Sequence, residues 1–260
     1  MTEPASSPPF AAWRAKPLPD LAPLRALRTR VREWPIDRDG AAYREPLVAA
    51  EAFGLAGRNY YAHARNPPYF SAAPGAIDRL LLREGVARRL ADANAALKRE
   101  GLALFLFDAW RPRAVQEHFH DVWTPREIAR RRPDLTGAAL TEEVERYWAA
   151  PSIDADRPAP HATGGAVDLT LVWDDGQPLY MGSLFDDPSP LAHTDRFEAE
   201  AEEMSFSAEE ARANRRVLYW AMREAGFANH PEEWWHYSYG DQAWAKEQDR
   251  PALYGPIEAP

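Results

Sequence analysis

The sequence predicts an α+β fold, and three observations carry that expectation. Apolar runs with strand character stand at residues 102–110 and 166–172, and an aromatic run stands at 232–240. Stretches with helical spacing stand before the first run and between the last two, at 76–100 and 207–226. No βαβ period repeats along the chain, which separates this pattern from a doubly wound parallel sheet.

Residues 1–50 are rich in Pro, Ala and Arg, and Pro4, Pro8, Pro9, Pro17, Pro19 and Pro23 interrupt any long helix. This segment is expected to be an arm appended to a single domain spanning 51–260. From Ala76 to Glu100 the residues Leu82, Val86, Leu90 and Leu97 recur on one helical face, and Gly101 stops the helix. The run LALFLFDAW at 102–110 reads as a buried strand. Pro112 suits the first position of another helix, so Arg111 falls between a strand end and a helix start. In AVDLTLV, residues 166–172, Val167, Leu169 and Leu171 face one way while Ala166, Asp168 and Thr170 face the other. Asp174-Asp175-Gly176 is a turn signal, with a second short strand expected through Leu179 and Tyr180. Ser207 and Glu210 read as a capping box for a helix that runs to Gly226. The run EEWWHYSYG at 232–240 has strand composition.

Composition excludes several function classes. A chain of 260 residues with 45% apolar residues can bury a sizeable core and is not disordered. A net charge of -9 without a basic stripe argues against nucleic acid as a partner. With no cysteine, disulfides, thiolate metal sites and cysteine nucleophiles are all excluded. The N-terminus lacks a charged start followed by an apolar run, so no signal peptide is read there. No stretch approaches the roughly 20 apolar residues of a membrane span. These points together lead to the expectation of a cytoplasmic protein.

Three short pieces carry chemistry: His161-Ala-Thr-Gly-Gly-Ala-Val-Asp168, Glu233-Trp-Trp-His236 and Asp108-Ala-Trp-Arg111. A catalytic zinc ion asks for three protein ligands and one open position, and neutral imidazole and carboxylate both serve. In a chain without cysteine, His161, Asp168 and His236 can supply them. A neighbouring carboxylate must accept a proton from water and pass it to the leaving amine, and Glu233 is the candidate. Arg111, always charged, is the candidate for holding the oxyanion. On a regular strand Glu233 and His236 would face opposite sides, so Glu233 must lie in a bend or turn before the strand. Taken singly, each piece also fits a plainer reading: a capping histidine, a solvated aspartate, core aromatics, a structural Asp–Arg ion pair.

The segments PHATGGAVDLTL, EWWHY and FDAWRP resemble the VanX-type D-alanyl-D-alanine dipeptidases, within a larger group of zinc peptidases that includes D,D-carboxypeptidases. The resemblance runs from about Asn59 to about Tyr254 and includes MGSLFDD at 181–187 and the NRR at 214–216. It implies a central, mainly antiparallel sheet with helices packed around it, shared with the hedgehog domain. It implies one zinc ion held by His161, Asp168 and His236, Glu233 as general base, Arg111 as the transition-state arginine, and a small peptide as substrate. Asp186 matches an aspartate that receives the substrate's free amino group, which would favour dipeptides over longer chains. Two positions depart from the family's pattern: Ala159 stands where a serine is usual, and Thr163 or Gly164 stands where an arginine is common. The remaining histidines are read apart from the metal set. His118 and His120 sit on a helix, His193 lines the pocket at most, His230 could tune Glu233, and His63 is structural. The rival readings are a D,D- or L,D-carboxypeptidase acting on cell-wall peptides and a non-catalytic zinc-binding module. A structural site would need neither Glu233 nor Arg111.

Overall fold

The computed structural model describes residues 9–199 and 204–258. In chain order its strands are β1 (Leu47–Ala49), β2 (Ala56–Gly57), β3 (Leu81–Arg83), β4 (Leu102–Asp108), β5 (Ala166–Trp173), β6 (Ala228–Asn229) and β7 (His236–Ser238). Its α-helices are α1 (Pro9–Ala15), α2 (Ala22–Leu27), α3 (Glu84–Lys98), α4 (Arg113–Glu117), α5 (Thr124–Arg131), α6 (Gly137–Glu145), α7 (Phe206–Glu224) and α8 (Gln242–Glu247). A π-helical turn, His118–Trp123, joins α4 to α5.

A mixed five-stranded sheet in the order β2-β4-β5-β7-β6 organises the molecule, and β1 pairs with β3 in a separate ribbon. Only the β2–β4 pair is parallel; β4–β5, β5–β7 and β6–β7 are antiparallel. The fold is therefore α+β. Strand β5 is buried along all but its last residue. Asp168 and Thr170 are thus not solvated on a polar face but enclosed, and each needs a partner inside the protein.

Four local expectations are corrected. The helix after Ala76 begins only at Glu84, because Leu80 and Leu81 give their carbonyls to Ala50 and Trp110 and Arg83 donates its N–H to Gly164. Helix α7 is capped by Ser205, whose hydroxyl accepts from the Ala208 N–H, two residues before the expected Ser207. The aromatic run at 232–240 is a strand only over His236–Ser238; the residues before it form turns. After Gly176, whose φ is 87°, only an isolated bridge between Val172 and Pro178 replaces the expected second strand.

Residues 9–50 lie against the rest of the chain. Trp13 of α1 is buried and its indole N–H donates to Glu224 at 2.7 Å. Helix α2 is held by a two-pronged ion pair from Arg25 to Asp195, 2.7 and 3.0 Å. The Asp37 N–H donates to the Ala252 carbonyl and the Ala252 N–H to the Pro35 carbonyl, both at 2.8 Å. Residues 1–8, which include Pro4 and Pro8, lie outside the described residues. No helix among the described residues is long and apolar enough to cross a membrane.

Candidate metal centre and active site

The sheet register builds the site. Asp108 on β4 pairs with Asp168 on β5, and Asp168 pairs with His236 on β7. Three adjacent strands therefore bring two carboxylates and an imidazole side by side. His161 comes from a 3-10 turn, Pro160–Thr163, that leads into β5. The Thr163 hydroxyl closes this turn by donating to Pro160 O at 2.6 Å and accepting from Gly165 N–H at 3.0 Å. Gly164 leaves the turn at φ 71°, a left-handed conformation that favours glycine. A Cβ on Gly165 would stand 2.6 Å from the Tyr239 carbonyl oxygen, so only glycine lets the turn sit against the strand end.

His161, Asp168 and His236 offer ligand atoms that all lie within 4.8 Å of one another. His161 Nε2 is 3.3 Å from His236 Nδ1 and 3.3 Å from Asp168 Oδ2, and His236 Nδ1 is 2.9 Å from Asp168 Oδ1. A tetrahedral zinc ion with bonds of about 2.0–2.1 Å needs ligand atoms about 3.3–3.4 Å apart. The two imidazole nitrogens and the His161–Asp168 pair meet that spacing, while His236 and the other Asp168 oxygen stand closer, at 2.9 Å, so two imidazoles and one carboxylate are clustered as a zinc ion requires. The His161 Nδ1–H donates to the Ala109 carbonyl at 2.7 Å, which fixes the tautomer and leaves the Nε2 lone pair facing the centre. For His236 the inward atom is Nδ1; its Nε2 is buried without a partner among the described residues. Burial opposes ionisation of Asp168, but the two imidazoles outweigh it and hold the carboxyl well below its usual range. His236 is shifted the other way: burial disfavours its charge, yet the Asp168 hydrogen bond and charge raise its pKa.

Glu233 sits beside this cluster. Two turn bonds, Glu233 N–H to His230 O (3.1 Å) and His236 N–H to Glu233 O (3.2 Å), wind the chain just before β7. That turn brings Glu233 Oε2 within 3.7 Å of His236 Nδ1, which a continuous strand could not do. Desolvation at the cavity wall pushes the Glu233 carboxyl up to about 7, with opposing pulls from His236, Arg28 and Arg111.

Arg111 is buried and held by Asp108, Gln116 and Asp168, with N–H capacity to spare. Its Nε donates to Asp108 Oδ2 at 2.8 Å, Nη1 to Gln116 at 2.8 Å, and Nη2 to Asp168 Oδ2 at 3.3 Å. Its guanidinium also lies over the rings of Tyr61 and Trp148, 5.0 and 4.8 Å from their centroids. Burial works against its charge, but Tyr61 and the surrounding carboxylates outweigh it and raise the pKa. The Asp108–Arg111 pair is thus structural, and it aims Arg111 at the cluster.

Asp186 lines the same cavity, on a loop whose φ of 57° at this residue is left-handed and strained. The hydroxyls of Tyr61 and Tyr69 both donate to its Oδ2 at 2.8 Å. Burial pushes the Asp186 carboxyl up to about 8, aided by the charge of Asp168 and opposed by the tyrosine bonds. A cavity of ≈ 100 Å³ is lined by His161, Asp168, His236, Glu233, Arg111 and Asp186 together. It shares Asp186, Glu233, Trp148 and Trp235 with a second cavity of ≈ 360 Å³.

Sequence reasoning named six residues, and the structure brings all six to one cavity. It missed Tyr61, Tyr69, Gln116 and Arg28, which also line or support that cavity. No spacing rule marks these; the chemical signal for the tyrosines exists only once Asp186 is known to face them. Of the histidines set aside, His118 and His120 lie on the π-helical turn away from the cluster, His63 pairs with Asp78, and His193 lines the larger cavity. His230 packs edge-on to His236, with 5.7 Å between ring centroids.

The family model described as D-ala-D-ala dipeptidase, in the M15 peptidases, matches residues 52–252. A D-alanyl-D-alanine dipeptidase of Synechocystis sp. is 35% identical over 198 residues, covering 68% of this chain and 79% of that protein. Proteins of the same name from Enterococcus faecalis and Streptomyces coelicolor are each 29% identical, over 168 and 183 residues, covering 64% and 68% of this chain and 76% and 79% of theirs. On this match the chain belongs to the D-Ala-D-Ala dipeptidase family of M15 peptidases.

Proposed function

We propose that the protein is a zinc-dependent dipeptidase that hydrolyses D-Ala-D-Ala or a closely related D,D-dipeptide. One observation carries this reading: a clustered His–Asp–His donor set, a raised carboxylate, a buried arginine and a second aspartate share one small cavity. We assign His161, Asp168 and His236 as ligands of one zinc ion, Glu233 as general base, Arg111 as oxyanion donor and Asp186 as the ammonium site. When bound, zinc supplies Lewis-acid activation of water and of the scissile carbonyl.

The residues then divide the work. Glu233 takes a proton from the attacking water and delivers it to the departing amine, a shuttle suited to a carboxyl near neutrality. Arg111 donates to the oxygen that becomes negative as the carbonyl turns tetrahedral, and Asp108 and Gln116 keep it rigid for that purpose. Asp186 Oδ2 is taken up by two tyrosines, so Oδ1 is left to receive the substrate's ammonium. A longer peptide would put an amide where the ammonium belongs and leave Asp186 without its charge partner. This favours a dipeptidase over a carboxypeptidase. The polar, acidic chain supports a cytoplasmic location, and the largely antiparallel sheet supports a hedgehog-like architecture. Residues 51–260 are read as the peptidase domain, with 1–50 as an arm whose described part, 9–50, lies on it.

The test is a comparison of D-Ala-D-Ala with its N-acetyl form on zinc-loaded protein. The free dipeptide should be cleaved and the acetylated one rejected by a factor of about ten or more. Equal cleavage of both would turn the assignment toward a carboxypeptidase.

A further inference from the structure

A dipeptide is a zwitterion, and Asp186 answers only one of its charges. The other end of the molecule is a carboxylate, which the cavity must meet with a cation or leave desolvated at a cost. Three arginines line the cavity: Arg28, Arg111 and Arg146. Arg111 is held by Asp108, Gln116 and Asp168 and is assigned to the oxyanion. Arg146 pairs with Glu143 at 3.3 Å, and its side chain is largely exposed. Arg28 differs from both. Among the described residues no side-chain hydrogen bond or ion pair engages its guanidinium, which feels Glu233, Asp241 and Glu232 only as charges at a distance.

Its placement is fixed by packing. Arg28 caps the C-terminal end of α2, and the Arg25–Asp195 pair one turn earlier anchors that helix. Arg25 also reaches the Pro231 carbonyl at 3.4 Å, which ties α2 to the turn that carries Glu233. Leu24, Leu27 and Val31 pack beside Asn229 and His230, so the chain on both sides of Arg28 is held against the rim of the site. His230 is occupied elsewhere: its Nδ1 accepts the Glu232 N–H at 3.2 Å.

Resting on the dipeptidase reading above, we propose that Arg28 binds the terminal carboxylate of the substrate. The residue lies outside the 52–252 region matched by the family, so this chain's own N-terminal segment completes its substrate site. A guanidinium that shares the cavity with Glu233 and has no hydrogen-bond partner among the described residues is poised for the two-pronged contact that arginine makes with carboxylates. Substrate would then be clamped at both ends, by Asp186 and by Arg28, with the scissile bond between them.

The experiment compares D-Ala-D-Ala with its C-terminal amide on the zinc-loaded full chain, its Arg28→Met variant and its Arg28→Lys variant. For the parent, the amide should show a KM about ten- to a hundredfold higher than the free dipeptide, the range of a hydrogen bond to a charged group. Arg28→Met should raise KM for the free dipeptide by a similar factor, leave kcat and zinc content unchanged, and leave the amide unaffected. Arg28→Lys, which keeps the stem packing and the charge, should recover part of the discrimination. Equal losses on both substrates in Arg28→Met, or an unchanged KM for the dipeptide, would overturn the assignment of Arg28 while leaving the dipeptidase reading intact. Failure of the parent to cleave either compound would overturn both.

Discussion

At the scale of single residues, the site rests on side chains whose charge states are set by their neighbours. Arg111→Ala should cut turnover roughly a hundred- to a thousandfold, the usual loss of one oxyanion donor, and should show it in kcat at constant zinc content. Glu233→Gln should abolish turnover while elemental analysis still finds zinc. The pH profile follows from two raised carboxyls. Glu233, near 7, and Asp186, near 8, are protonated in acid, and each must be ionised to act. Activity is therefore lost as pH falls, and below about 6 the logarithm of kcat/KM should climb with a slope approaching about two. Asp186→Asn should reduce that slope to about one and weaken dipeptide binding; an unchanged slope would remove Asp186 from the ammonium role. Residues with distinctive chemistry were legible in the sequence: two histidines, a carboxylate after a glycine pair, an acid before aromatics. Tyr61, Tyr69 and Arg28 were not, because tyrosine and arginine are common, and only distant loops bring these three to the cavity.

At the scale of elements, two buried arginines hold the loops that carry the chemistry. Arg83 on β3 donates to the carbonyls of Thr163, Tyr43, Glu45 and Gly255, pinning the His161 turn between both ends of the chain. Arg215 on α7 donates to Met181, Leu191 and His193, which bracket the loop of Asp186. Arg215→Met would strand those carbonyls, at about 1–3 kcal/mol for each one left buried without its donor. The expected result is a lower melting temperature and a higher KM, with zinc content kept. Gly165→Ala would drive a methyl into the Tyr239 carbonyl and shift β7, so it should weaken zinc binding as well as stability. The long strands β4 and β5 could be read from local pattern alone, since their apolar runs are continuous. The short ones could not. The sequence places β3 inside a helix because Leu82 continues the spacing of Val86, Leu90 and Leu97, and only pairing with β1 decides for a strand. The turn at 230–235 shows the same limit: its aromatic composition says strand, while the bonds that fold Glu233 back toward His236 say otherwise.

At the scale of the whole molecule, the sheet serves as the rigid frame of a metal centre. Asp108, Asp168 and His236 stand on three neighbouring strands, so the geometry of the ion site is tied to the stability of the fold. Zinc should accordingly stabilise the native state by mass action, by about 2.7 kcal/mol when free zinc is a hundredfold above its Kd. A chelator should lower the melting temperature of the parent and leave that of His161→Ala unmoved. The most direct measurement is a zinc titration of chelator-stripped protein, followed by the rate of D-Ala-D-Ala hydrolysis. Activity should be absent at the start, rise linearly with added zinc, and level off at one ion per chain. Full activity in the stripped protein, or a titration in which bound zinc brings no hydrolysis, would contradict a catalytic centre built from His161, Asp168 and His236.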